Sequence, residues 1–357
     1  MRPSQTRLSI ALCALSCLAG CDSPRATDDA SARDASGPDA RSADAALPDA
    51  PGLDAPTSAI DAAVDGGAVP DAPGQDDAFL SDAAPRCPAR EALGLFVWSD
   101  DFDVRRDEIL TLAEDAGVTE IYLHANRVYA GDLDEAVLAD WIAAADARCL
   151  SVELLFGNAS WIPTAGHAEA IARASWTIRF AAAHPDARPA GVHFDLEPQQ
   201  LALWDTGDRP MLISQLVDVL EAMTPDVEAA GLRLSVDIGF FLDGYDVTRG
   251  GRARPGHEWV TDAVSRVVVM DYRDTADNVG HGGMIDLAAE EVAYASGAGV
   301  PIVLAAETTA QDPPYITFHE EGRAALFAQL AAVRSHYGSQ LEGFAIHDED
   351  GLATLAP

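Results

Sequence analysis

The chain has 357 residues and sets 58 acidic side chains against 23 basic ones, a formal charge of −35. Nothing in that balance neutralises a phosphate backbone, so nucleic acid is excluded as a partner; every fixed cation is an arginine, since the chain contains no lysine. The length suits one large domain or two small ones, and the uneven spread of charge divides the chain.

Residues 1–21 read as an export signal. Arg2 and Arg7 precede a short, mostly apolar run from Leu8 to Leu18, too short to span a bilayer as a mature helix. The run closes in "LAGC", Leu18 to Cys21, which resembles the lipobox of bacterial lipoproteins. That resemblance implies cleavage before Cys21 and lipid on its sulfur. The expectation is a protein of the bacterial cell envelope, anchored to a membrane through Cys21, with the leaflet left open.

Residues 22–86 repeat Asp-Ala and Pro-Asp-Ala, with an aspartate every five residues at 34, 39, 44, 49 and 54. The segment holds 14 Asp and 4 Arg, a net of −10. With almost no aromatics it has too little apolar surface to offset chain entropy. It is predicted to be a disordered tether with an r.m.s. reach of about 45 Å. A calcium-binding array is the alternative, but EF-hand spacing and its glycine are missing. Beyond the signal only Cys87 and Cys149 remain as thiols, and in an oxidising compartment they are expected to pair as a disulfide.

From residue 87 a short apolar run and a helical stretch alternate. The runs are 92–98, 120–125, 150–156, 190–197, 232–240, 266–272, 301–307 and 342–348. Between them lie stretches such as Arg106–Ala116, Ala165–His184, Met211–Ala230, Ile285–Gly297 and Glu321–His336, whose apolar residues recur at three and four. Strands alternating with helices imply parallel strands and right-handed crossovers. Eight units in residues 87–357 predict a single (β/α)₈ TIM barrel after the acidic linker. The rival, a doubly wound sheet, usually carries a glycine-rich turn after its first strand, and "FVWSDDFD" has none.

A barrel places its active residues at the C-terminal ends of its strands. Polar and aromatic residues do gather there: Trp98, Asp100 and Asp101; His124 and Asn126; Asn158 and Trp161; Asp195 and Glu197; Asp237; Asp271, Tyr272, Arg273 and Asp274; Glu307; His347 and Asp348. Asp195 and Glu197 are two apart, so both carboxylates leave one face of their strand. Carboxylates, amides and aromatics around one mouth suit a carbohydrate. Trp98, Trp161, Trp204 and Tyr272 offer stacking faces, and His124, Asn126, Asn158, Asp237, Arg273 and His347 offer hydroxyl partners. Glycosidic cleavage needs one carboxylic acid for the leaving oxygen and a second group across the sugar ring. Glu197 is the expected proton donor, with Asp195 raising its pKa by like-charge repulsion, and Glu307 is the expected nucleophile.

The motifs "FDLE" (Phe194–Glu197) and "MDY" (Met270–Tyr272) resemble family 18 chitinases. That likeness implies an acid glutamate, a supporting aspartate and a tyrosine that positions an acetamido group. Asp271 and Tyr272 would then serve a substrate-assisted reaction. The upstream aspartates of the chitinase run are absent, with Val192 and His193 in their place, and no tryptophan is evident in "GFAIHDED". Glu197-Pro198 and "AETT" (Ala306–Thr309) are similar to clan A glycosidases, which implies an acid on strand four and a nucleophile on strand seven.

Two other readings stay open: a non-catalytic carbohydrate-binding lipoprotein on the same scaffold, and a metal-dependent amidohydrolase-type enzyme using His124, Asp195, Glu197, Asp237, Asp271, Glu307 and His347. Neither His-x-His after the first strand nor HExxH occurs, so no metal or other cofactor is expected. The chain is read as a monomer.

Overall fold

The computed structural model describes residues 87–88, 90–277 and 280–357; the signal at 1–21, Cys21 and the linker at 22–86 lie outside them. Among the described residues there are ten strands: β1 (Ala92–Val97), β2 (Glu120–His124), β3 (Ser151–Gly157), β4 (Gly191–Asp195), β5 (Arg233–Gly239), β6 (Asp246–Arg249), β7 (Arg252–Pro255), β8 (Arg266–Met270), β9 (Ile302–Glu307) and β10 (Gly343–His347). Eight of them close a barrel in the order β1-β10-β9-β8-β5-β4-β3-β2, each pair parallel. The predicted (β/α)₈ barrel is the observed one.

The helices start and stop where local chemistry permits. Arg106–Ala116 has Asp107 and Glu108 in its first turn, where the helix dipole favours anions. It ends at Gly117, whose φ of 76° is the left-handed cap that glycine adopts without a Cβ clash. Asp134 caps Glu135–Asp146 by accepting from the Ala136 N–H at 2.8 Å, and Asp208 caps Arg209–Ala229. The expected helix 285–297 is interrupted at Ala288 into Met284–Leu287 and Ala289–Ala298. The β6–β7 hairpin has no counterpart among the predicted strands. Its strands have four residues each and are largely exposed, so they lack an apolar run. Its signal was the Gly250-Gly251 pair, with φ of 56° and 78°, as a tight two-residue hairpin turn demands.

Alternation along each strand builds two cores. Outward side chains such as Val192, Phe194, Val236, Val267, Leu304 and Ile346 pack under the helices with Trp141, Leu216 and Leu326. A buried Leu, Val or Phe of this kind contributes about 1.5–3 kcal/mol. Inward, a small cluster of Phe96, Tyr122, Leu155, Val268, Val303, Ala305 and Ala345 fills the barrel. Below it the core turns ionic. Arg266, fully buried, lies 2.9 Å from Glu153 and 2.5 Å from Glu120, and Arg233 lies 2.6 Å from Glu153. Shallow cavities of about 610 and 360 Å³ open at this N-terminal end, the end of a barrel that serves stability rather than chemistry. Cys87 and Cys149 form a disulfide that ties the start of the domain to a position two residues before β3. Among the described residues, no helix is long and apolar enough to cross a membrane.

Candidate active site

The inward-facing residues at the C-terminal ends of the strands define the mouth. β4 directs His193 and then Asp195 inward, and Glu197 follows two residues on. β5 presents Asp237, in register with Asp195. β9 ends in Glu307, paired with His347 of β10. β3 contributes only Gly157, where a Cβ would come 3.0 Å from the Trp98 ring and 3.3 Å from Asp195. Glycine there lets the indole lie against the aspartate.

Glu197 is 6% exposed and accepts from the side-chain amide of Gln199 at 2.5 Å and from that of Gln200. Asp195 has a buried oxygen, Oδ1, with no hydrogen-bond partner among the described residues. Burial first, then the charges of Glu197 and Asp237, push its carboxyl well above the ordinary range. The same forces act on Tyr272: burial first, then the charges of Glu307, Asp237, Glu197 and Asp195, hold its hydroxyl proton well above the usual value. All four carboxylates therefore lie within electrostatic reach of one phenol.

Glu307 is the most firmly held carboxylate. Its Oε1 accepts from the backbone N–H of Thr308 (2.8 Å), the backbone N–H of Thr309 (2.7 Å) and the Thr309 hydroxyl (2.7 Å). Its Oε2 faces His347 Nδ1 at 2.9 Å. Burial would raise its pKa, but His347 and Thr309 outweigh it and hold the group ionised.

His347 is under competing demands. The Trp98 indole N–H donates to its Nε2 at 3.1 Å; an indole only donates, so this arrangement requires a neutral ring with its proton on Nδ1, directed at Glu307. Burial also opposes a charge, yet Glu307, Asp348 and Asp195 together raise the pKa to about 10. The Trp98 bond defines the neutral form, and a second proton on Nε2 would displace it.

The remaining expected residues divide. Trp98 is half-buried at the mouth, 5.2 Å from the His124 ring, and is available as a stacking face. His124 Nε2 lies 2.9 Å from Asn126 Nδ2. Asn126 Oδ1 accepts from Arg173 Nε at 3.1 Å, so its amide nitrogen donates to His124, which carries its proton on Nδ1. Burial lowers the His124 pKa and keeps it neutral. Asn158 caps the short helix Ala159–Trp161 by accepting from Ser160 N–H. Trp161 is 6% exposed, with the Arg173 guanidinium 3.9 Å above its ring. Trp204 packs against Phe241 and Tyr245. Arg273 donates to the carbonyls of Tyr272 and His281 and lies over Phe240 and Tyr315, clasping the loop after β8.

Asp271 stands apart from the mouth. It alternates with Tyr272, so when Tyr272 points inward Asp271 points toward the helices. There its charge is felt by Glu291 and Tyr337. It is completely buried, neither oxygen has a hydrogen-bond partner among the described residues, and burial raises its pKa well above normal.

Three contributors had no place in the sequence expectations. His193 lies on the Asp195–Glu197 face, a spacing that was legible. Glu349, 1% exposed, accepts from the backbone N–H groups of Trp98 (3.2 Å) and Ser99 (3.1 Å) and so seats Trp98; only the fold brings positions 98 and 349 together. The Gln199–Gln200 pair was adjacent to the motif but silent without the turn that folds it back. Among the described residues, no three His, Cys, Asp or Glu side chains are grouped to hold a metal ion.

Fold and site together define a (β/α)₈ barrel protein with a carboxylate-lined mouth at the C-terminal ends of its strands. No family model matches the chain, and no curated protein matches it. Its structural neighbours include a class V chitinase from Pseudomonas fluorescens Pf-5, at 12% identity and a TM-score of 0.47 over 74% of this chain and 99% of that one. A GH18 chitinase from Cycas revoluta in complex with (GlcNAc)4 matches at 11% identity and a TM-score of 0.46, covering 73% of this chain and 95% of that one. A beta-galactosidase from Marinomonas ef1 matches at 11% and 0.49, over 72% of this chain and 54% of that one.

Proposed function

We propose that the protein is an exported, lipid-anchored glycoside hydrolase whose active site is this mouth. The observation that carries the reading is that the strand ends bring carboxylates together at one mouth: Asp195 in register with Asp237, Glu197 two residues beyond, and Glu307 in register with His347, all within electrostatic reach of Tyr272. Glu197 is the proton donor to the leaving oxygen. Asp195, whose carboxyl burial holds protonated, supports Glu197 as a neutral neighbour rather than by the charge repulsion its spacing suggested. Glu307 remains ionised and supplies negative charge for an oxocarbenium-like transition state. Trp98 offers a sugar platform at the mouth.

The nucleophile has two readings. Attack by Glu307 requires Oε2 to leave His347. Because His347, Thr308 and Thr309 occupy both oxygens, we favour a substrate-assisted reaction. An acetamido group positioned by Asp195 and Tyr272 attacks the anomeric carbon, and Glu307 acts as a fixed charge. The oligosaccharide in the Cycas neighbour, (GlcNAc)4, is the first substrate to try. Glu197→Gln in the full chain is expected to abolish hydrolysis with the fold intact; unchanged turnover would sink the assignment. Azide added to Glu307→Ala separates the routes, since restored turnover with a glycosyl azide product would identify Glu307 as the nucleophile. Sugar binding without any product would favour the lectin reading.

The anchor is proposed on "LAGC" alone. A Cys87–Cys149 disulfide is consistent with an oxidising compartment. Metabolic labelling with palmitate, lost in Cys21→Ser, tests it.

A further inference from the structure

His193 is completely buried inside the barrel, one layer below Asp195 on the same face of β4. Its Nε2 lies 2.9 Å from Asp237 Oδ1 in hydrogen-bond geometry, while its Nδ1 lies 3.3 Å from Glu153 Oε2, within ion-pair distance but outside hydrogen-bond geometry. A carboxylate only accepts. A ring nitrogen without a proton facing either one would set lone pair against lone pair. The Nε2 contact requires an N–H, and a lone pair on Nδ1 would face the Glu153 carboxylate at 3.3 Å, so the two carboxylates together favour the imidazolium. The remaining neighbours permit this. Phe96 of β1 and Tyr122 of β2 offer ring contacts at 5.6 and 4.4 Å. The cations Arg266 of β8 and Arg233 of β5 are engaged by Glu153, Glu120 and Glu342.

Above this clamp, Asp237 and Asp195 face each other across the β4–β5 register. Each keeps a buried oxygen, Asp237 Oδ2 and Asp195 Oδ1, that has no hydrogen-bond partner among the described residues. Two adjacent buried carboxylates cannot both ionise cheaply, and one shared proton relieves the repulsion. The other groups near the pair are Glu197 above, Tyr272 from the loop after β8, and His347 from β10.

We infer that His193 is a charged positioning residue: it fixes Asp237 from below and leaves the Asp195–Asp237 pair holding a single proton directly under Glu197. In direction, Asp237 and Glu153 outweigh burial and raise the His193 pKa to about 9, in line with the geometry. His193 touches no substrate; it acts through Asp237. The consequence for catalysis, that this proton keeps Glu197 poised, rests on the reading of Glu197 as the acid. The protonation states themselves do not rest on it.

They are measured on the full chain without turnover. In ¹⁵N-histidine-labelled protein, the His193 resonance is expected to carry protons on both nitrogens at neutral pH; a neutral ring overturns the inference. In protein labelled with ¹³C-carboxyl aspartate, the infrared difference between wild type and Asp195→Asn is expected to contain one protonated-carboxyl band at neutral pH, and its absence overturns the inference. His193→Gln keeps a donor but removes the charge, so the protonated-carboxyl intensity of the pair should rise, roughly doubling below neutral pH. Unchanged intensity would mean a purely structural role for His193. If that variant does not fold, Asp237→Asn is used, which should lower the His193 titration by about one unit or more; an unmoved titration overturns the inference. An inactive protein with a charged His193 would count against the hydrolase and leave this inference standing, and an active protein with a neutral His193 would do the reverse.

Discussion

Nδ1 of His347 lies 2.9 Å from Oε2 of Glu307, and the two residues are register partners on adjacent barrel strands. Two demands meet on that ring: the Trp98 indole N–H at Nε2 fits only a neutral imidazole, while Glu307 favours the charged one. Trp98→Phe keeps the ring face and removes the N–H donor. His347 should then accept a second proton more readily, and its titration, followed by ¹⁵N NMR, should move up. In His347→Ala, Glu307 loses the group that opposes burial most strongly, so its pKa should rise. If Glu307 must be ionised, the acid limb of the pH–rate profile moves up with it.

Arg266 is buried among Glu153, Glu120, Glu342, Ser235 and Tyr122. Removing one partner of a buried ion network leaves charge uncompensated. Arg266→Met is therefore expected to destabilise the barrel by about 3–5 kcal/mol in a chemical denaturation. Arg252, exposed on the hairpin, is the control: Arg252→Ala should stay within about 0.5 kcal/mol.

Glu291 is 1% exposed, and neither oxygen has a hydrogen-bond partner among the described residues. Burial, chiefly, raises its pKa from 4.5 to about 9. An acid whose folded pKa is raised favours folding fully at low pH. That advantage is lost as pH climbs from the unfolded value toward the folded one, because the unfolded chain ionises first. Between pH 4.5 and 9 this group should weaken stability with a slope of at most about 1.4 kcal/mol per unit. Glu291→Gln should flatten the curve, and an equally steep decline in the variant would exclude Glu291 as its source.

The Cys87–Cys149 disulfide joins positions 62 apart in sequence. Closing such a loop restricts the unfolded chain, so Cys87→Ser with Cys149→Ser should lower stability by about 2–4 kcal/mol. Thermal melts of wild type with and without reductant should reproduce the difference.

How far the site could be read in advance varied residue by residue. Asp195 and Glu197 were legible because strand alternation is a period of two, and the same rule would have delivered His193. Tyr272 and Asp271 are adjacent, and that rule puts them on opposite faces; the phase of β8 is set by Arg266 and Val268 turning inward, which depends on what the other strands leave room for. Trp161 and Asn158 sit at a strand end, as expected, yet Arg173 covers one and a helix N-terminus engages the other. Both partners depend on how the loop after β3 folds back.

The sequence by itself determined the barrel. Eight apolar runs alternating with amphipathic helices have few other ways to bury their surfaces, and that pattern is local. It also determined that the polar residues follow the strands. Only the tertiary structure decided their partners. Glu307 is pinned by Thr308, Thr309 and His347, Trp98 is seated by Glu349, and His193 is held between Glu153 and Asp237. These contacts join residues up to 251 positions apart. Hydrogen-bond geometry and desolvation act over a few ångströms of space, and no periodicity along the chain encodes that distance.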